Sequence, residues 1–259
     1  MRAGGVQARS KGHWKVDVRR FARVTGTLLA IAGAGVLVWV VVVWRWQDPF
    51  TALYTTWKQH QLSSSYHRRA EAYRPPAVAP GTSLAKTTAQ VRAEARRYRL
   101  DSKRGQAIGR IRVPRLGLNM VVVDGTDEAT LKKGPGRDRR TYMPGEGQLV
   151  YIAGHRTTYL APFAHIDRLE PGDLITLEVP YGTFTYRVFK HRIVSGNDLA
   201  VLRSHGRDVV ILQACHPRFF ATHRYLAYAR LARIEPRGAR AFTPPPTALA
   251  AAPLASAQG

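Results

Sequence analysis

Val209-Val210-Ile211-Leu212-Gln213-Ala214-Cys215-His216-Pro217-Arg218 reads as a strand that ends on a reactive group. Its first four positions are β-branched or apolar, the composition of a strand covered on its faces. The single cysteine of the 259-residue chain closes the run, and the turn signal His216-Pro217 follows at once. Arg224 lies nine positions beyond the thiol, so a following strand that folds back would return a guanidinium beside the sulfur. A strand that delivers one thiol to its end next to a cation suits a nucleophile. One cysteine cannot form an intramolecular disulfide. Taken alone, it leaves open both an inert buried residue and a functional one.

Comparable short runs flank this one. They cover residues 107–113, 119–124, 148–153, 173–179, 183–194 and 224–234, with the quoted strand itself taken as 208–215. Turn signals separate them at Leu116-Gly117, Gly134-Pro135-Gly136, Pro144-Gly145, Pro171-Gly172-Asp173 and Tyr181-Gly182. Seven or eight short strands in about 130 residues argue for a closed or sandwich-like all-β structure. Paired helix signals are missing, which excludes a doubly wound α/β fold. Residues 127–133 fit one or two helical turns with Thr126 as N-cap. Asp124, Asp127 and Glu128 are explained as an exposed acidic turn at that helix start, not as a metal site.

The chain divides at its composition shifts. Residues 1–25 form a basic tail, 26–44 an uncharged apolar segment, 45–104 a stalk and linker, 105–235 the folded domain and 236–259 a disordered tail. Nineteen residues at ~1.5 Å each span roughly the ~30 Å hydrocarbon core of a bilayer. Seven basic residues precede the segment, opposed only by Asp17, so the N-terminus is expected in the cytoplasm and the C-terminal bulk outside. Trp39, Trp44 and Trp46 suit the outer interfacial belt. No small-x-small cleavage site follows, so the segment reads as an uncleaved single-pass signal anchor. Residues 50–73 show loosely helical spacing and read as a stalk helix, with Asp48-Pro49-Phe50 as its start. Residues 75–90 are linker-like, and 85–98 add a short basic helix.

Lysine and arginine number 40 against 17 aspartate and glutamate, a formal net charge of +23. Nucleic acid is the first partner such a charge suggests. Here 19 of the basic residues, against five acidic ones, fall in residues 1–104 around the apolar segment. Attraction to anionic lipid or acidic wall polymers accounts for that distribution, and no nucleic-acid partner is expected. No cofactor is expected either, since no metal constellation, phosphate loop or dinucleotide motif occurs.

A cysteine nucleophile needs a partner for its thiolate and a proton donor for the leaving group. Among the histidines of 105–235, His155 leads, because it follows the strand-like Val150-Tyr151-Ile152-Ala153 through Gly154. Glycine there would let the backbone approach a bound chain. His191 and His205 read as solvated loop residues, His165 as a local turn cap, and His216 as a neighbour pointing away from the thiol. Arg224 could donate to an oxyanion; the bland alternative is a surface arginine at a strand end.

Several blocks in unbroken order resemble the sortase family. Gly109-Arg110-Ile111-Arg112-Val113-Pro114-Arg115-Leu116-Gly117-Leu118 and Val122-Val123-Asp124-Gly125-Thr126 are similar to its opening strands. Leu131-Lys132-Lys133-Gly134-Pro135-Gly136 and Met143-Pro144-Gly145-Glu146 look like the segments leading to its histidine strand. Ala153-Gly154-His155-Arg156-Thr157-Thr158-Tyr159 and Ala214-Cys215-His216-Pro217-Arg218-Phe219 resemble the class E, actinobacterial form.

The resemblance implies an eight-stranded sortase β-barrel with short helices and His155, Cys215 and Arg224 as catalytic residues. It also implies a cysteine transpeptidase that cleaves a C-terminal LPxTG/LAxTG-like sorting signal through a thioester. The implied partners are secreted proteins bearing that signal, a cell-wall precursor amine and the membrane. Where the family usually has threonine before the cysteine this chain has Ala214, which puts substrate preference or rate in question. Alternatives are a pilin-polymerising sortase and a non-catalytic cell-wall-binding protein on the same fold. An L,D-transpeptidase is disfavoured, since its signature needs glycine where Ala214 stands.

Overall fold

Alternating burial writes the barrel into the chain. In β7 (Val209–His216), Val210, Leu212 and Ala214 are fully buried in the interior, while Gln213 and Cys215 face the other way. Such period-two alternation places successive side chains on opposite faces of a sheet. The computed structural model describes residues 18–46, 49–74, 76 and 82–243. Two compact units meet between Trp46 and Gln47.

The first unit contains α1 (Val18–Trp46), which begins at Val18 rather than at Gly26. Residues Arg19–Val42 are long and apolar enough to cross a membrane, and the apolar side chains from Phe21 to Val41 are exposed. A helix with apolar residues all round is suited to lipid. The Trp44 and Trp46 side chains expected at the interface lie outside the described residues.

The second unit is a closed barrel flanked by helices. Its strands are β1 (Ala107–Val113), β2 (Leu118–Asp124), β3 (Gly136–Arg137), β4 (Leu149–Ala153), β5 (Leu174–Val179), β6 (Gly182–Ser195), β7 and β8 (His223–Pro236). Around the barrel they run β1-β2-β3-β4-β7-β8-β6-β5, with β5 returning to β1. β2–β3 and β4–β7 are parallel and the remaining pairs antiparallel. Every residue of β4 is buried, as expected of a parallel strand covered on both faces. The expected all-β barrel is thus present, and β3, only two residues long, is the strand the sequence does not announce.

Three helices differ from their expected roles. α2 (Pro49–Ala72), read as a stalk, lies along β1 and β2. The Gln59 side-chain amide accepts from Val121 N at 2.7 Å and donates to Val121 O at 3.0 Å, imitating a strand at that position. Tyr66 packs with Ala107 and Val121, and its hydroxyl donates to Glu178 O. α3 (Leu84–Asp101) starts inside the stretch read as linker and sends Val91, Ala95 and Tyr98 into the barrel core. The compact unit therefore takes in residues that composition assigned to a stalk. α4 (Glu128–Leu131) is capped by Asp127, whose carboxylate accepts from Thr130 N, and not by Thr126. β8 continues to Pro236, and Ile234 bridges Phe242, so order extends past the expected 235 boundary. The expected tail beyond 243 and the centre of the 75–90 linker lie outside the described residues.

Asp124 is not part of an exposed acidic turn. It is fully buried at the end of β2, where its Oδ1 accepts from Arg137 Nε at 2.9 Å and again from Nη2. Arg137, 2 % exposed, spends its third nitrogen on Thr141 O. The pair locks β3 against β2 where strand pairing itself is short. Removing one partner of such a pair leaves an uncompensated buried charge and costs about 3–5 kcal/mol. Arg137→Met should therefore lower unfolding free energy by that amount in denaturant titrations, and adding Asp124→Leu should recover a large part of it. An unchanged Arg137→Met variant would show that the pair does not hold β3.

Candidate active site

Strand register brings the sequence-predicted residues to one place. Cys215 on β7 is the register partner of Arg224 on β8, so nine residues of sequence become one cross-strand step. β4 runs parallel to β7 with Ala153 opposite Gln213, and Gly154 N donates to Gln213 O at 3.0 Å. His155 therefore leaves β4 beside the strand that carries the thiol. His155, Cys215 and Arg224 line one cleft of about 260 Å³. Its apolar lining comes from a second hydrophobic cluster, through Tyr151, Ala153 and Val194, with Leu131, Val201 and Leu202 packed against them.

Each member of the trio has a distinct setting. Cys215 is partly exposed, as an attacking group must be. Arg224 Nη1 donates to Ala221 O at 2.6 Å and His223 O at 2.9 Å, which fixes one side of the guanidinium to the β7–β8 loop. Gly196 makes room for it, since a Cβ there would lie 3.3 Å from Arg224 Nη1. The His155 Nε2 is buried without a hydrogen-bond partner. Burial pushes the His155 imidazole below its ordinary proton affinity; Glu128 pulls it back up and Lys132 adds to the depression.

Three sequence-level expectations change. Gly154 does not leave room for a bound chain: a Cβ there would lie 2.6 Å from Phe163 Cδ2, so the space is taken by the protein's own aromatic ring. Ala214 faces the barrel interior and is 0 % exposed. A threonine hydroxyl at that position would enter the core and not the cleft, so the substitution acts on packing rather than on substrate contact. His191 lies on β6, half-buried against Tyr225, instead of in a solvated loop. His165 stands at the N-cap position of a short 3-10 turn, as expected, its carbonyl accepting from Arg168 N at 2.9 Å while its side chain makes no cap bond. His216 does point elsewhere, its Nδ1 3.0 Å from Arg156 Nη1.

Arg156 is the residue that sequence reasoning passed over. It is 5 % exposed, donates from Nη1 to Cys215 O at 3.3 Å and pairs through Nη2 with Asp167 at 3.0 Å. The same guanidinium stacks over Tyr225, the neighbour of Arg224. It thus ties the histidine loop to the backbone of the cysteine. A buried arginine beside a histidine in sequence gives no signal of this role, because the partners come from three other segments. Among the described residues, no group of three or more His, Cys, Asp or Glu side chains could hold a metal ion.

Comparison with known proteins points to the same fold. The Sortase domain family matches residues 111–232. Sortase D of Bacillus subtilis is 34% identical over 130 residues, covering 49% of this chain and 64% of that protein. Sortase SrtE1 of Streptomyces coelicolor is 26% identical over 150 residues, covering 51% of this chain and 42% of that protein. The chain thus spans less than two thirds of the length of these relatives. The structure of a Clostridium perfringens Sortase D5 transpeptidase superposes with a TM-score of 0.53 at 22% identity, covering 67% of this chain and 98% of the other, and so shares the fold.

The Arg156 brace predicts a local effect. Arg156→Ala should speed amide hydrogen exchange at the C-terminal end of β7 about tenfold, the loss of roughly 1.4 kcal/mol of protection, while β1 and β5 stay unchanged. Exchange at parental rates near Cys215 would mean that the guanidinium does not hold that strand end.

Proposed function

Residues 111–232 match the Sortase domain family, and on that premise we propose that this chain is a membrane-anchored cysteine transpeptidase acting on C-terminal sorting signals. The observation that carries the proposal is the register pairing of Cys215 with Arg224 in the cleft that also holds His155. A non-catalytic wall-binding protein would have no need of a thiol, a cation and an imidazole in one cleft.

The chemistry follows from what each group can do. The Cys215 thiolate attacks the carbonyl carbon of the residue before the scissile bond, and the carbonyl electron pair moves to oxygen. Arg224, permanently charged and with one side fixed to the loop, stabilises that oxyanion. Collapse breaks the C–N bond, and the His155 imidazolium protonates the departing amine, leaving a thioester on Cys215 and a neutral imidazole. A cell-wall amine then attacks the thioester carbon, neutral His155 accepts its proton, and the thiolate leaves. The protein that carried the signal ends joined to the wall through a new amide bond. Burial disfavours the His155 imidazolium, so the form that protonates the departing amine is held against a desolvation cost.

The apolar helix α1 fits a single-pass anchor with the catalytic unit outside the cell. That placement puts the cleft on the side where secreted substrates and lipid-linked precursors arrive. The family resemblance favours a Leu-Pro-x-Thr-Gly or Leu-Ala-x-Thr-Gly signal, and class E character points to the second. The relatives named above are a sortase D and a sortase E1, so this preference rests on the class E motifs alone.

With a fluorogenic sorting peptide and an amine acceptor, the parent should form transpeptidation product and Cys215→Ala none. Arg224→Ala should lower kcat/KM by about 10²–10³-fold, the loss found for a single oxyanion donor, with Arg224→Lys intermediate. Product formation by Cys215→Ala at the parental rate would refute the proposal. Peptides with Pro or Ala at the second position then decide between the two signals.

A further inference from the structure

The loop that leaves His155 carries an unusual backbone. Tyr159, Leu160 and Ala161 have φ values of 53°, 60° and 37°, three consecutive non-glycine residues in the left-handed region. Such residues cost of order 1 kcal/mol each and persist only where surrounding contacts over-determine them. Here the contacts are identifiable. Tyr159 N donates to Thr51 Oγ1 at 3.1 Å, in the first turn of α2. The Tyr159 ring meets Tyr54 of α2 edge-on at 6.5 Å, and Lys132 Nζ lies 5.9 Å from its centre. Its remaining neighbour is the His155 ring, at 5.0 Å. Thr55 secures the platform by donating to Lys132 O at 3.0 Å.

We propose that Tyr159 is a positioning residue for His155: its ring shields the imidazole from water, and the first turn of α2 holds the ring in place. The strained turn makes sense on this reading, since it aims Tyr159 back over the residue four positions earlier. α2 thereby takes part in the site although none of its residues lines the cleft. The catalytic meaning of His155 rests on the reading above, but the shielding itself does not.

Shielding has a measurable sign. Burial is the first cause of the depressed proton affinity of His155. Removing the ring admits water and should raise that affinity toward the ordinary imidazole value. The charged and titratable groups around His155 are Glu128 on α4, Lys132 just after it, Asp138 and Arg140 after β3, Asp198 after β6, Cys215 on β7 and Arg224 on β8. Because Tyr159 also touches Lys132, whose charge lowers the His155 affinity, the Tyr159→Ala shift is read against Lys132→Gln, which removes that charge and leaves the ring.

The test is an NMR titration of histidine-labelled full-length protein in nanodiscs, in the Cys215→Ala background, with His155 assigned by His155→Gln. Tyr159→Ala should move the His155 midpoint upward by about half a unit or more. Tyr159→Phe should titrate as the parent. Thr51→Val, which leaves the loop sequence untouched, should move it in the same direction by less. With Cys215 restored, the pH profile of thioester formation should shift with the midpoint. A His155 midpoint unmoved in both Tyr159→Ala and Thr51→Val overturns the proposal, and if Tyr159→Ala fails to fold, Thr51→Val decides alone. A shifted midpoint with no thioester formed by the parent would leave the shielding intact and refute the transpeptidase reading instead.

Discussion

The site depends on one pairing, the parallel ladder between β4 and β7. Parallel strands cannot be joined by a tight turn, so β5 and β6 must intervene, and the chain closes the barrel in making the return. In register, Ala153 stands opposite Gln213, which carries His155 off one strand beside the thiol at the end of the other. β8 folds back on β7 and sets Arg224 opposite Cys215. Three residues from separate strand ends thus line one cleft because one parallel pair fixes where two strands end. The flanking pieces maintain that arrangement: Arg137 and Asp124 hold β3 between β2 and β4, and Arg156 ties the histidine loop to Cys215 O.

The electrostatics of the barrel unit are more ordered than a net charge of +23 suggests. Several of its arginines have specific partners. Arg99 reaches Glu146, Arg115 reaches Glu170 and Asp173, and Arg140 reaches Asp138. The Arg115 pairs lie at the surface and contribute little each, about 0–1 kcal/mol, whereas Glu146 and Asp138 are buried. Arg137 and Arg156 differ because they are buried, so their hydrogen bonds determine local geometry rather than adding a small increment of stability.

Much of the barrel was legible from residue pattern, and the reasons are specific. Seven strands carry enough alternating or continuous apolar residues to be seen, with ends within a residue or two of those observed. β3 escaped because two residues have no periodicity. α2 and α3 were visible as helices but not as barrel cover, because what docks them are side chains such as Gln59 and Tyr98 that bond to backbone groups of distant strands. The cysteine, histidine and arginine were singled out by residue type and family resemblance, and strand register brings them to one cleft. Arg156 and Tyr159 stood in the same motif, but their partners, Cys215 O and Thr51, lie in other elements. The position of Ala214 was misjudged for the same reason: only the pleat of β7 tells which face it occupies.

The central claim is that Cys215 becomes covalently acylated by a sorting signal. Its most direct measurement is intact mass spectrometry of the protein after brief exposure to a sorting peptide without an amine acceptor, followed by peptide mapping. The account predicts one adduct, with the mass of the peptide up to the scissile bond, on Cys215, released by hydroxylamine and absent from Cys215→Ala. An adduct on another residue, or one that persists in Cys215→Ala, would contradict it.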